Sequence, residues 1–158
     1  AQESDLPALT AIRAPEALHR GRLRDARLGG FRYCVIEQDE QVIGFVSLVF
    51  ARPASWSNRA DTAHLPEIND LYIEDTQRGR GYGTAAIHAL EGMAAQLGHR
   101  ALYISVEPLD NPRAYALYQR LDYRPLQSEA YFHQWEAVDG DGQLDSGEAW
   151  LVDMVKGL

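Results

Sequence analysis

A chain of 158 residues, 46% apolar and 24% charged, is long enough for one folded domain with a substantial hydrophobic core. Acidic residues outnumber basic ones 23 to 15; that balance disfavours a non-specific grip on nucleic acid and draws cationic partners toward the surface. No apolar run approaches the roughly 18 residues of a membrane span and no signal-peptide pattern opens the chain, so the cytoplasm is the expected compartment.

Ser4 or Asp5 is placed to cap a helix starting near Leu6-Pro7, with Leu6, Leu9 and Ile12 on one face. Pro15 opens a second, charged helix through about Leu28, closed by Gly29-Gly30. Phe31–Glu37 and Val42–Ala51 are β-rich, and the polar Gln38–Gln41 between them reads as a hairpin turn. The lone cysteine, Cys34, lies in an apolar run and reads as a buried structural thiol. Pro53–Leu65 reads as a loop and Pro66–Glu74 as a strand.

A helix then runs to Gly98, with a predicted core stripe of Ala86, Leu90, Met93 and Leu97 and with Ile87 and Ala94 beside it. Ala101–Glu107 reads as a buried strand. Asn111-Pro112 starts a further helix with Ala114, Leu117 and Leu121 inward. Two more β segments, about Tyr131–Val138 and Glu148–Val155, flank an Asp/Gly turn. The order αα, ββ, β, α, β, α, ββ predicts a single domain, residues 1–158, built as a mixed α/β sheet with helices packed on it.

Chemistry concentrates in Gln77-Arg78-Gly79-Arg80-Gly81-Tyr82-Gly83-Thr84, between a strand and a long helix. Glycine lets backbone N–H groups close on an anion, the helix start supplies unpaired donors and a positive dipole end, and Arg78 and Arg80 add charged donors. The pattern reads as a pyrophosphate cradle. It is not a nucleotide P-loop, because no lysine precedes Thr84. Nor is it the dinucleotide fingerprint, because the glycines recur every second residue.

These residues resemble the GNAT N-acetyltransferase superfamily. Its Arg/Gln-x-x-Gly-x-Gly/Ala signature is met by Arg78, Gly81 and Gly83, after a strand ending Leu71-Tyr72-Ile73. A second family element is matched by Asn111, Ala114, Leu117-Tyr118 and Leu121-Asp122-Tyr123. The resemblance implies a mixed, mostly antiparallel central sheet flanked by helices, acetyl-CoA as cosubstrate, and no metal. It implies cofactor contacts from Leu71, Tyr72 and Ile73, from the loop Arg78–Thr84, and from Asn111, Ala114 and Tyr118. Members usually carry a strand before the first helix; Ala1–Ser4 leaves almost no room for it, so it is either cut away or very short. Asp122 stands where the family has glycine, and Asp tolerates the left-handed conformation that position needs.

Acetyl transfer to an amine needs a neutral amine, a polarised thioester carbonyl and a proton for the departing thiolate. The resemblance makes Tyr118 the candidate general acid, and Asn111 both a helix N-cap and a cofactor contact. Glu67, four residues before Leu71, is the leading candidate base. Asp70 and a water chain, with Glu107 placed to hold one such water, stay open beside it. Period-2 alternation predicts Glu67, Asn69 and Leu71 on one face of the strand and Asp70 on the other.

The expected acceptor is a primary amine, cationic in solution, on a small molecule or a peptide or protein. Tyr131, His133 and Trp135 alternate on one strand face and could wall its pocket, form a dimer contact, or pack in the core; Trp150 and Leu151 read as core or dimer interface. The competing reading is a non-catalytic acyl-CoA sensor with the same cradle. The five histidines, His19, His64, His88, His99 and His133, lack metal-ligand spacing, with His88 facing outward. Asp139-Gly140-Asp141-Gly142 with Asp145 misses the calcium-loop pattern at Leu144 and Trp150 and reads as a turn.

Overall fold

The computed structural model describes residues 1–50, 62–138 and 144–158. A 3-10 turn, Glu3–Asp5, leads into α1 (Leu6–Ile12). Asp5 fastens that start, its carboxylate accepting the Gln2 N–H at 2.8 Å, and Pro7 falls in the first turn, where a missing N–H is harmless. No strand precedes α1 among the described residues. α2 (Glu16–Arg27) follows Pro15 and stops ahead of Gly29, which takes a left-handed φ of +90°.

β1 (Phe31–Gln38) and β2 (Gln41–Val49) form a hairpin through Asp39 and Glu40, both at positive φ as a two-residue turn requires. The remaining elements are β3 (Glu67–Ile73), α3 (Tyr82–Gln96), β4 (Ala101–Val106), α4 (Pro112–Arg120), β5 (Arg124–Pro125), β6 (Tyr131–Val138) and β7 (Leu144–Gly157). They build one sheet in the order β1-β2-β3-β4-β7-β5, with β6 also on β7. Only β3 and β4 run parallel among the described pairs. This is the predicted mixed, mostly antiparallel arrangement; two-residue β5 carries no periodicity from which to read it.

Helices cover both faces. On one, Val46, Leu48, Ile68, Leu102, Ile104, Val152 and Met154 pack with Ile87, Leu90 and Ala94 of α3 and with Tyr118 of α4. On the other, Leu6, Leu9 and Leu23 of α1 and α2 cover Phe31, Tyr33, Phe45 and Val49. The α3 stripe sits one position over from the expected one, so Leu97 lies 54% exposed and Glu91 is drawn into the buried face. Trp150, 56% exposed and packed on Phe132, is not core. Cys34 is half-buried against the first cluster, and burial raises its thiol pKa, as an unreactive cysteine requires. The Pro53–Leu65 loop as far as residue 61, the turn at 139–142, and the side chains of Trp135 and Asp145 lie outside the described residues.

The alternation expected for β3 fails at Asp70. This residue has φ +51° and lies where the β2–β3 register slips, between Phe45 and Ser47. One inserted residue resets the period. Glu67 and Asn69 stay on the α1/α2 side with Val49 and Ser47, while Leu71 moves to the opposite face and packs against the α3/α4 core. Tyr72 takes the α1/α2 side with Phe45, and the Asp70 carboxylate also reaches that side, meeting Arg13 and Arg22.

Candidate functional site

Two strands part at the centre of the sheet. β3 and β4 pair at Glu67–Tyr103 and Ile68–Ile104, then part from each other, β3 running on along β2 to Ile73 and β4 along β7 to Val106. The Glu74 N–H donates to Ile43 O on β2, so antiparallel alternation turns the backbone groups of Leu71 and Ile73 to the open side. The Ile73 carbonyl there accepts from Arg78 Nε at 2.9 Å. β2 closes tightly behind β3. A Cβ on Gly44 would lie 2.3 Å from Tyr72 O, so only glycine permits this approach.

Beyond Ile73 the chain makes a short 3-10 turn, Asp75–Gln77, and then the glycine loop. Gly79 and Gly81 have φ of +77° and +88°, conformations that L side chains rarely adopt. The first helical bond closes from Ala85 N–H to Gly81 O, and from Gly79 to Thr84 no backbone N–H meets a backbone acceptor among the described residues. No side chain caps α3. A run of unused donors at a helix N-terminus is the condition for binding an anion.

Tyr82 and Thr84 are half-buried in the first turn, and a Cβ on Gly83 would touch Leu71 and Leu117 at 3.8 and 3.9 Å. The loop therefore rests between the parted strand and α4. Arg78 pairs with Asp75 at 2.7 Å and lies 5.3 Å over the Tyr72 ring; Arg80 is exposed and makes no ion pair among the described residues.

α4 faces the same opening. The Asn111 side chain caps it, accepting the Ala114 N–H at 3.3 Å. Tyr118 is buried, with its ring 6.2 Å from that of Tyr123, and burial pushes its pKa up to about 12. It therefore holds its proton throughout the neutral range. Glu107, at the end of β4, has its carboxyl pKa raised by burial and then by neighbouring Asp110. Glu67 is 6% exposed and accepts from Asn69 Nδ2 at 3.3 Å. Asp70, the second candidate base, is held between the guanidiniums of Arg13 and Arg22.

Three polar clusters escape the sequence reading. His19, fully buried, has Nε2 2.6 Å from Arg13 O and Nδ1 2.6 Å from the Tyr33 hydroxyl. Since a carbonyl only accepts, Nε2 carries the proton and Nδ1 accepts from Tyr33; burial lowers the ring's pKa and keeps it neutral. Glu91, inside the α3 core stripe, is bonded by Tyr123 at 3.0 Å, Lys156 at 2.9 Å and His88 at 3.0 Å. Burial pushes its pKa up, but those three bonds and the Lys156 charge outweigh it and leave the carboxyl lowered. Asp153, 1% exposed, accepts from Ser105 at 2.7 Å and Tyr131 at 2.8 Å. An acid in the apolar rhythm of α3 was a legible signal for Glu91; the other two depend on strand register.

Among the described residues, no helix is long and apolar enough to cross a membrane, and no three His, Cys, Asp or Glu are grouped to hold a metal.

A profile of the acetyltransferase (GNAT) family matches residues 3–123. An uncharacterised N-acetyltransferase of Methanocaldococcus jannaschii is 31% identical over 96 residues, which are 60% of this chain and 38% of that protein. The matched region thus spans under two-fifths of that relative's length. Among solved structures, a ribosomal-protein-alanine N-acetyltransferase from Brucella melitensis superposes with a TM-score of 0.69 at 22% identity, covering 100% of this chain and 97% of that one. A phosphinothricin acetyltransferase from Sinorhizobium meliloti, solved with acetyl-CoA, gives 0.67 at 22%, covering 100% and 85%.

Proposed function

This chain belongs to the acetyltransferase (GNAT) family, and on that premise we propose that it transfers an acetyl group from acetyl-CoA to a primary amine of a small molecule, peptide or protein. One observation carries the reading: the open edge of β3 runs into a loop whose backbone N–H groups, from Gly79 to Thr84, have no backbone acceptor among the described residues.

Acetyl-CoA supplies the activated acyl group and the thiolate leaving group. The residues present fit it. Leu71 and Ile73 offer main-chain groups to an extended pantetheine arm, in the manner of an added strand, with Tyr72 between them. Gly79, Gly81, Tyr82, Gly83 and Thr84 would bind the pyrophosphate through main-chain N–H groups, helped by the side chains of Arg78 and Arg80. Asn111 and Ala114 line the start of α4 beside that arm.

An N–H at the Asp70–Tyr72 bulge polarises the thioester carbonyl. Tyr118 donates its proton to the departing sulfur. With a pKa near 12 it stays protonated at neutral pH and holds its proton more tightly than a thiol does, so the transfer runs together with cleavage of the C–S bond and the return of an amine proton to the phenol oxygen. Glu67 accepts the proton of the incoming ammonium, directly or through a water that Glu107 also holds. Acetyl passes from sulfur to nitrogen as the C–S bond breaks; of the two protons the ammonium sheds, one goes to Glu67 or the water and on to solvent, and the other restores Tyr118, whose own proton has gone to the thiol.

Thiol release from acetyl-CoA, scanned across a panel of amines, tests this. Release that depends on both amine and enzyme supports the reading. Binding of acetyl-CoA without turnover on any amine would leave a non-catalytic acyl-CoA binder.

A further inference from the structure

We infer that the acceptor is an amino-carboxylate, with Arg13 taking its carboxylate while its amine meets the thioester; this rests on the acetyl-transfer reading. The observation behind it is that two guanidiniums share one carboxylate at the β3 bulge, and that one of the two is open to solvent. Two guanidiniums, from Arg13 at the end of α1 and Arg22 on α2, converge on the single carboxylate of Asp70. Buried Arg22 Nη1 has no acceptor among the described residues.

The two arginines differ in access. The Arg22 side chain is 16% exposed and lies over Tyr33 and Phe45 at 5.5 and 5.2 Å, so it serves to fix Asp70 from within. The Arg13 side chain is 43% exposed. It gives Nη1 to Asp70 at 2.8 Å and lies 5.5 Å over the ring of Tyr72; among the described residues the rest of its five-donor fork meets no other acceptor and can take a further anion. Its carbonyl is held by His19, so backbone and side chain are both set in advance.

The placement suits the chemistry. Asp70 and Tyr72 flank Leu71 on the strand proposed to hold the acyl arm, and Arg13 touches both of them. A nucleophilic nitrogen must come within about 3–3.5 Å of the carbonyl carbon. A carboxylate whose carbon is two or three bonds from that nitrogen then falls a few ångströms away, on the Glu67 and Asn69 side of the sheet, where Arg13 stands. The net charge of −8 draws the ammonium end of such a zwitterion, while the half-exposed Arg13 guanidinium selects the other end. An amine without an oxyanion leaves the guanidinium donors to water.

The test compares each reactive amine with its carboxylate-free analogue, as amide or decarboxylated amine, in the intact chain. The expected result is a preference of about 10-fold or more in kcat/KM for the carboxylate-bearing acceptor, the scale of one charged hydrogen bond. Arg13→Gln should bring that ratio near one, mainly by raising the KM for the carboxylate-bearing acceptor, and Arg13→Lys should restore part of it. Equal rates on both analogues in the wild type overturn the assignment, as does an Arg13→Gln variant that keeps the preference or loses both activities in proportion. If acetyl-CoA binds and no amine reacts, the acetyl-transfer reading itself has failed and takes this assignment with it.

Discussion

The two faces of the sheet are built on different principles. The α3/α4 face is an apolar core with one internal charge, Glu91, fully bonded by Tyr123, Lys156 and His88. The α1/α2 face holds a second apolar cluster bordered by His19, Arg22, Asp70, Asn69 and Glu67, in which buried polar atoms such as Ser47 Oγ and Arg22 Nη1 lack partners among the described residues. A buried charge with all its bonds made stiffens a structure; a polar border with bonds unmade is ready for a ligand. The first face therefore reads as a platform, and the second, through the half-exposed Arg13, is the side from which we propose that the acceptor arrives.

Tyr118→Phe carries the largest expected effect. The ring and its packing against Tyr123 remain, and only the hydroxyl proton is lost. Turnover should fall by about 10²-fold or more, the usual contribution of a general acid, with little change in the acetyl-CoA dissociation constant. Since the folded pKa is raised to about 12, the wild-type rate should show no loss from Tyr118 ionisation up to about pH 10, where an ordinary tyrosine titrates. Near-normal turnover in the variant would reduce Tyr118 to a packing residue.

Glu91→Gln should do the reverse, costing stability by about 2–4 kcal/mol because Lys156 is left without its buried counter-charge, while acetyl-CoA affinity stays close to normal. The pH dependence has a definite sign. The Glu91 carboxyl is lowered from 4.5 in the folded state, so its stabilising share is present above about pH 4.5 and is lost as pH falls through the folded value. The gap in melting temperature between wild type and variant should accordingly be full at neutral pH and narrow in acid. A gap that widens in acid would mean the network opposes folding.

Arg78→Ala is the smallest of these effects. Arg78 is 55% exposed and divides itself between Asp75, the Ile73 carbonyl and the Tyr72 ring. Its loss should weaken CoA about 10-fold, the worth of one charged hydrogen bond, and leave a dephosphorylated pantetheine fragment unaffected. Equal losses on both ligands would assign Arg78 to shaping β3 instead.

What was legible in the sequence followed from local rules. Gly79 and Gly81 mark positive φ, Asn111-Pro112 marks a helix start, and Leu6, Leu9 and Ile12 share a face because helical spacing puts them there. Asp122, at φ +67°, takes the left-handed turn that its short polar side chain permits. Illegible were features that depend on where a distant segment lies. The bulge at Asp70 exchanged the faces of Leu71 and Asp70, because one inserted residue inverts a period-2 pattern and nothing in Glu67–Ile73 announces it. The pairing of Asp70 with Arg13 and Arg22 spans 57 and 48 positions and comes from the packing of α1 and α2 on the sheet. The Leu97 error was one of phase, since a helix with alanines on several sides tolerates more than one apolar stripe.

The central claim is that the parted strand and the uncapped helix start hold acetyl-CoA. Melting the purified chain with and without CoA and acetyl-CoA tests it without knowledge of the acceptor. Both ligands should raise the melting temperature, by the equivalent of roughly 2.7 kcal/mol at 100 times the dissociation constant. A folded chain whose melting is unmoved by millimolar CoA would contradict the account.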